Sequence, residues 1–256
     1  MTIEAHNVGL ERSGVTLLSG IDLTIHAGAI TTVLGPNGAG KTSLLRSIAG
    51  ELQASGEITL GGTPVREWSA SERAKRLAIL PQHSLLDFPF TAEEVVQLGR
   101  MPHASGLSHD RDIVRQALAL VDGHFLANRE YTRLSGGEKQ RVHFARVLAQ
   151  IWEPLESGDR FLLLDEPTSS FDLAHQRMTV DIVKQLRLQG VGVMMILHDL
   201  NLAAKCADHM VLMQCGQVSV SGSPCDVLTE HTVKEVFQVE AHVDRHPRDG
   251  APLVII

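Results

Sequence analysis

Apolar and polar residues alternate at Ile3, Ala5 and Asn7, and again at Ile21, Leu23 and Ile25. Alternation at a period of two predicts a pair of antiparallel strands at a sheet edge. A second class of segment is short and almost continuously apolar: Ile30–Leu34, Leu77–Leu80, Phe161–Asp165, Gly192–Leu197 and Met210–Gln214. Such runs predict strands covered on both faces, as in a parallel sheet. Gly56–Gly62 reads as a short strand entering a tight turn. Helical spacing sets in at Ser43–Ala49, with Gly50 placed to close the helix, and at 69–76. From about 91 to 149 the pattern is mostly helical. Thr91 and Glu94 form a capping box, Ile113, Ala117 and Leu120 mark a helix over Asp112–Val121, and Glu138–Gln150 follows. Leu173–Leu188 is a long amphipathic helix between two apolar strands, and Pro252–Ile256 predicts a last strand. Parallel strands alternating with helices, interrupted by a helical block, predict an α/β fold.

With 256 residues, 43% of them hydrophobic, the chain has enough apolar side chains for one large core. Its longest apolar runs, Val191–Leu197 and Phe161–Leu164, fall well short of the roughly 20 residues that span a bilayer. Met1–His6 has neither a basic start nor an apolar stretch, so no targeting segment is expected and any membrane role comes through a partner. A net charge of −7 argues against a broad nucleic-acid surface. Cys206, Cys215 and Cys225 contain no C-x-x-C pair and read as reduced thiols. The 13 histidines are scattered without ligand spacing and read as solvated surface groups.

The first chemistry-bearing segment is Gly35-Pro36-Asn37-Gly38-Ala39-Gly40-Lys41-Thr42, followed by Ser43. It has the G-x-x-x-x-G-K-[ST] spacing of a phosphate-cradling P-loop, with a strand before it and a helix after it as that motif requires. Glycines let successive backbone N–H groups turn toward anionic oxygens, and the helix N-terminus adds positive potential. Lys41 is then the cation for β- and γ-phosphates, and the Thr42 hydroxyl a ligand for Mg²⁺. The second segment is the run Phe161–Leu164 ending in Asp165 and Glu166. A carboxylate at the end of a buried strand suits Asp165 to the Walker-B role of holding Mg²⁺ through a water, and Glu166 to polarising the attacking water.

Leu134-Ser135-Gly136-Gly137-Glu138 begins another helix, a second anion-binding N-terminus in one chain. Between a P-loop and a Walker-B strand, these five residues resemble the signature of the ATP-binding-cassette (ABC) family. The resemblance covers nearly all of the chain, with the motifs in the family's order. It implies a P-loop ATPase of the α/β class and a single domain over 1–256. Within it, 1–82 and 160–256 would form a RecA-like core with an antiparallel β subdomain, and about 83–159 a helical signature subdomain. It also implies that Gln82 is the Q-loop glutamine sensing Mg²⁺ and water, and that His198 is the switch histidine on the γ-phosphate. Ser169-Ser170-Phe171-Asp172 resembles the D-loop, where the family more often has Ala-Leu in place of Ser-Phe. The family's adenine-stacking aromatic is replaced by Arg12, which either stacks through its guanidinium or is a solvated loop charge. In the family, Ser135, Gly136 and Gly137 face the other subunit's P-loop, so the implied catalyst is a head-to-tail homodimer.

Without fused membrane helices, a second cassette or a long coiled coil, the chain resembles a separately encoded subunit of a bacterial importer. Gly99-Arg100-Met101-Pro102-His103 is similar to a Gly-Arg-x-Pro-His segment of importers for iron chelates, haem and vitamin B12. Phe88–Val96 and the extended link Ala149–Asp159 look most like the haem branch. The partners implied are a permease dimer and, indirectly, a periplasmic binding protein, with no nucleic acid, at the cytoplasmic face of the inner membrane. Leu85, Leu86, Phe88, Phe90 and Met101 either receive a coupling helix of the permease or pack the chain's own core. The alternatives are an importer ATPase for ferric siderophore or vitamin B12, a soluble ABC ATPase, and a non-hydrolysing regulator.

Overall fold

The computed structural model describes residues 1–82, 86–156, 158–169 and 171–256. The strands are β1 (Thr2–Arg12), β2 (Val15–His26), β3 (Ile30–Leu34), β4 (Ser55–Leu60), β5 (Thr63–Pro64), β6 (Leu77–Leu80), β7 (Phe161–Asp165), β8 (Gly192–Ile196), β9 (His209–Gln214), β10 (Gln217–Gly222), β11 (His242–Arg245) and β12 (Pro252–Ile255). The α-helices are α1 (Lys41–Ile48), α2 (Ala70–Arg76), α3 (Ala92–Gln97), α4 (Leu107–Leu120), α5 (Gly136–Gln150), α6 (Leu173–Leu188), α7 (Leu200–Cys206), α8 (Pro224–Val227) and α9 (Glu230–Phe237). The class is α/β, as the sequence predicts.

The central sheet runs β10-β9-β3-β8-β7-β6, with β9 through β6 parallel and β10 antiparallel at one edge. The apolar runs are covered on both faces because alternate residues of each strand enter different cores. Leu163, Met194 and Ile196 join α1, β1 and β2 on one side. Leu162, Leu164, Val193 and Met195 join the helical side. The β3 strand is pinned at its start by Asp208, whose Oδ2 accepts from Ile30 N–H at 2.9 Å while Oδ1 meets Arg187 at 2.6 Å.

A second sheet, β2-β1-β4-β5, is antiparallel. Here the alternation departs from expectation at Asn7. Ile3 and Ala5 are buried, but Asn7 is exposed with φ 47° at an irregularity in the β1–β2 register, and Val8 takes the inward place. A bulge shifts the pleat by one residue, which a strict period of two cannot anticipate. The helix expected over Asp112–Val121 starts at Leu107, because Asp110 belongs to its first turn and is drawn inward by Arg100. The terminal strand is present as β12, which pairs with β11 in a two-stranded hairpin. Among the described residues no helix is long and apolar enough to cross a membrane.

Candidate functional site

The loop after β3 is shaped by what lies behind it. Gly35 has φ 145°, and a Cβ there would sit 2.1 Å from the carbonyl oxygen of Met213 in β9. Any side chain would therefore have to displace a central strand. The loop is tied back by Gly216 N–H donating to the Ala39 carbonyl at 3.1 Å, and α1 begins at once with Leu44 N–H on the Gly40 carbonyl at 2.8 Å. Pro36 is half-buried while Asn37 and Gly38 are exposed. Ala39 is buried in the core, and its N–H donates to the Pro36 carbonyl at 3.2 Å, closing the turn of the loop.

Lys41 is 6% exposed, and its ammonium donates to the carbonyls of Gly35 at 2.8 Å and Pro36 at 3.0 Å. Burial pulls its pKa below the ordinary lysine value, with Glu166 and Asp165 opposing that shift. Thr42, exposed at the start of α1, donates its hydroxyl to Asp165 Oδ1 at 3.3 Å, and Ser43 follows half-buried. Asp165 is 2% exposed at the end of β7. Burial raises its pKa; the Thr42 hydroxyl opposes that and the Glu166 charge adds to it.

Three further predicted residues meet at the carboxyl ends of adjacent strands. Glu166 follows β7 in a left-handed conformation (φ 51°) and is held by its N–H on the Ile196 carbonyl at 3.2 Å. Its Oε2 accepts from Gln82 Nε2, beyond β6, at 2.7 Å, and its Oε1 lies 2.5 Å from Nε2 of His198, beyond β8. Since β8, β7 and β6 are parallel neighbours, their ends deliver His198, Glu166 and Gln82 to one line. Ser169 secures the turn by donating its N–H and hydroxyl to the Glu166 carbonyl at 3.3 and 3.1 Å. Phe171 is buried and Asp172 caps α6; Ser170 lies outside the described residues.

The signature segment stands apart. Ser135 caps α5, and Glu138 returns the contact, accepting from Ser135 N–H and hydroxyl at 2.8 Å each. Arg129 holds the other Glu138 oxygen at 2.6 Å, a partner that the sequence reading missed. Ser135 and Gly136 are exposed and Gly137 half-buried. Among the described residues no hydrogen bond or ion pair joins this segment to the P-loop within the chain. Arg12 is exposed at the end of β1, with no polar partner among the described residues, on the hairpin whose Leu17 carbonyl backs Gly40.

The Gly-Arg-x-Pro-His segment has a structural role that its sequence did not disclose. Arg100, 1% exposed, donates to Asp110, Ala149, Ser105 and Glu153 at 2.7–2.9 Å. His103 Nε2 contacts the Gln150 carbonyl at 2.7 Å, so the segment clamps the end of α5. Of the residues expected at a partner groove, Leu86 packs on the core and Leu85 lies outside the described residues. Phe88, Phe90 and Met101 remain 63%, 37% and 77% exposed. Among the described residues no cluster of three or more His, Cys, Asp or Glu is arranged to hold a metal ion.

The ABC transporter family profile matches residues 18–169. The hemin import ATP-binding protein HmuV of Plesiomonas shigelloides is 48% identical over 255 residues, 95% of this chain and 97% of that protein. The protein of the same name from Pseudomonas entomophila is 49% identical over 254 residues, 99% of both chains. Among solved structures, one chain of an inward-facing ABC transporter described as metal-chelate type superposes with a TM-score of 0.80. It is 25% identical, covering 99% of this chain and 95% of that one.

Proposed function

The chain belongs to the ABC transporter family, and from that premise we propose that it is the ATP-hydrolysing subunit of a bacterial hemin importer. The observation that carries the reading is the convergence of Gln82 and His198 on Glu166, one residue from the Asp165 that meets Thr42. A buried carboxylate 3.3 Å from a hydroxyl is a hard-oxygen pair that fits Mg²⁺, so Thr42 and Asp165, with Gln82 nearby, are the residues that would hold it. When bound there, such an ion would offset the charge of the phosphates.

The remaining roles fall to the chain's own groups. Lys41 exchanges two carbonyls for phosphate oxygens, and the open N–H groups from Gly35 to Ser43 cradle the rest. Glu166 orients the attacking water and takes up its proton. Each of its oxygens accepts one contact, from Gln82 or from His198, and keeps a second lone pair for the water. His198 is then placed to donate to the γ-phosphate. A γ-phosphate seated on this P-loop would have one open side, and the α5 N-terminus with Ser135, Gly136 and Gly137 makes no hydrogen bond or ion pair to the P-loop among the described residues. A second copy supplying that N-terminus completes the site, so the working unit is a head-to-tail homodimer closed by ATP. Arg12, with no polar partner among the described residues, would stack on adenine through its guanidinium.

The partner in the membrane is a permease dimer, fed indirectly by a periplasmic binding protein. The chain sits peripherally on the cytoplasmic face of the inner membrane. A cleft of about 530 Å³ has Leu77, Ile79, Pro81, Leu86, Leu98 and Arg146 in its lining. It would seat a short permease helix, and Phe88 and Met101 are exposed apolar side chains open to a further contact. The test is reconstitution with the permease encoded beside it. Vesicles should accumulate hemin only with ATP. Uptake of ferric siderophore or vitamin B12 in place of hemin would transfer the assignment to those cargoes. ATP turnover stimulated by nucleic acid and not by the permease would move it to the soluble class.

A further inference from the structure

The C-terminal hairpin lies beyond the stretch matched by the family profile, yet it is bonded to the helix that starts directly after His198. Asp199 caps that helix, its Oδ1 accepting from Asn201 N–H at 2.8 Å and Leu202 N–H at 3.0 Å. The Asn201 side chain then pairs with β12 as a strand would. Its Nδ2 donates to the Val254 carbonyl at 3.0 Å, and its Oδ1 accepts from Val254 N–H at 2.7 Å. Both backbone groups of Val254 therefore face α7. Leu253 and Ile255, opposite Asp244 and His242, are left to bond β11. The hairpin is itself anchored to α9, where Glu230 accepts from His242 Nδ1 at 2.7 Å and Val243 N–H at 3.3 Å. The Val254 side chain is buried in the same core as Leu200. By contrast, the His198 ring is 46% exposed and has one polar contact among the described residues, the 2.5 Å approach to Glu166. With so little to fix the ring, its aim is inherited from the backbone on either side: β8 before it and the first turn of α7 after it.

We propose that the hairpin is a strap and that Asn201 and Val254 are positioning residues: their paired hydrogen bonds set the first turn of α7 and so the aim of His198 at Glu166. The proposal rests on the assignment of His198 to hydrolysis. Val254→Pro removes one N–H that faces the helix and none that faces β11, and Asn201→Leu removes both bonds from the other side at similar volume. Each variant should lower kcat for ATP about three- to tenfold, with KM within about twofold of the parent, and the double variant should be no slower than the worse single one. In a His198→Ala background Val254→Pro should cost nothing further. In nucleotide-free protein the His198 ring resonances should shift in both single variants. Parental kcat and unshifted His198 resonances in both variants, with His198→Ala inactive, would overturn the strap and leave the switch assignment standing. An equal extra loss in the His198→Ala background would show that the hairpin acts by some other route, which also overturns it. Normal turnover by His198→Ala would remove the assignment on which the strap depends.

Discussion

Replacing Arg100 by Met removes a guanidinium that holds four partners from a 1% exposed position while keeping most of the side-chain volume. The most costly orphan is Asp110, whose side chain is 10% exposed and would keep only the Ser105 hydroxyl, 2.8 Å away. Removing one partner of a buried ion pair costs about 3–5 kcal/mol. The unfilled Ala149 carbonyl adds about 1 kcal/mol. Glu153 is 39% exposed and also contacts His109, so its share is at most about 1 kcal/mol. A loss of about 4–7 kcal/mol is expected, a large part of the roughly 5–15 kcal/mol that keeps a domain folded. Urea unfolding followed by Trp fluorescence measures it, since Trp152 packs on the same core. The pH dependence is a second reading. Burial pushes the Asp110 carboxyl upward, but hydrogen bonds from Arg100 and Ser105 bring its pKa below the ordinary value. A depressed carboxylate contributes stability above its unfolded pKa of about 4 and loses it as pH falls through the folded value. The gap between parent and Arg100→Met should therefore narrow as pH is lowered from 7 toward 4 and below. Adding Asp110→Asn should recover about half of the loss at pH 7. A loss under about 1 kcal/mol, or no recovery from Asp110→Asn, would refute the clamp.

Asp165 has the opposite sign: burial holds its folded pKa above the unfolded one, so its ionisation costs stability as pH rises through that window. Asp165→Asn should raise the urea midpoint at pH 7, with a smaller gain near pH 4, while turnover with Mg²⁺ collapses; a lowered midpoint would contradict this. Gly35→Ala places a Cβ 2.1 Å from the Met213 carbonyl and should cost at least about 2 kcal/mol in unfolding and abolish nucleotide binding by calorimetry. Normal affinity would show that the loop can adopt another path. Arg12→Ala should weaken ATP binding by about 1 kcal/mol or more if the guanidinium stacks on the base, and unchanged affinity would leave Arg12 as a solvated charge.

What the sequence discloses here is what local chemistry dictates. Continuous apolar runs such as Phe161–Leu164 announce a doubly covered sheet because each alternate side chain needs its own core. Gly35, Asp165 and Glu166 stand out in the sequence as a glycine loop and a strand end, whereas Gln82 and His198 are singled out only by the family resemblance; the structure brings both of them onto Glu166. Three features were not legible. The bulge at Asn7 depends on pairing with β2, which the pattern along one strand does not contain. The clamp at Arg100 joins residues from 100 to 153, and nothing in Gly-Arg-x-Pro-His says that its arginine faces inward. Asn201, a polar residue near a helix start, reads as a solvent-facing group until β12 is found against it. Long-range hydrogen bonds between a side chain and a distant backbone leave no period to detect.

The central claim is that Glu166 readies the water for attack within a site closed by a second copy of the chain. The measurement is light scattering of Glu166→Gln with MgATP, read beside its phosphate release. Retained ATP, a stable species of twice the chain's mass and no release of phosphate above background are expected. A monomer that goes on hydrolysing ATP at the parental rate would contradict it.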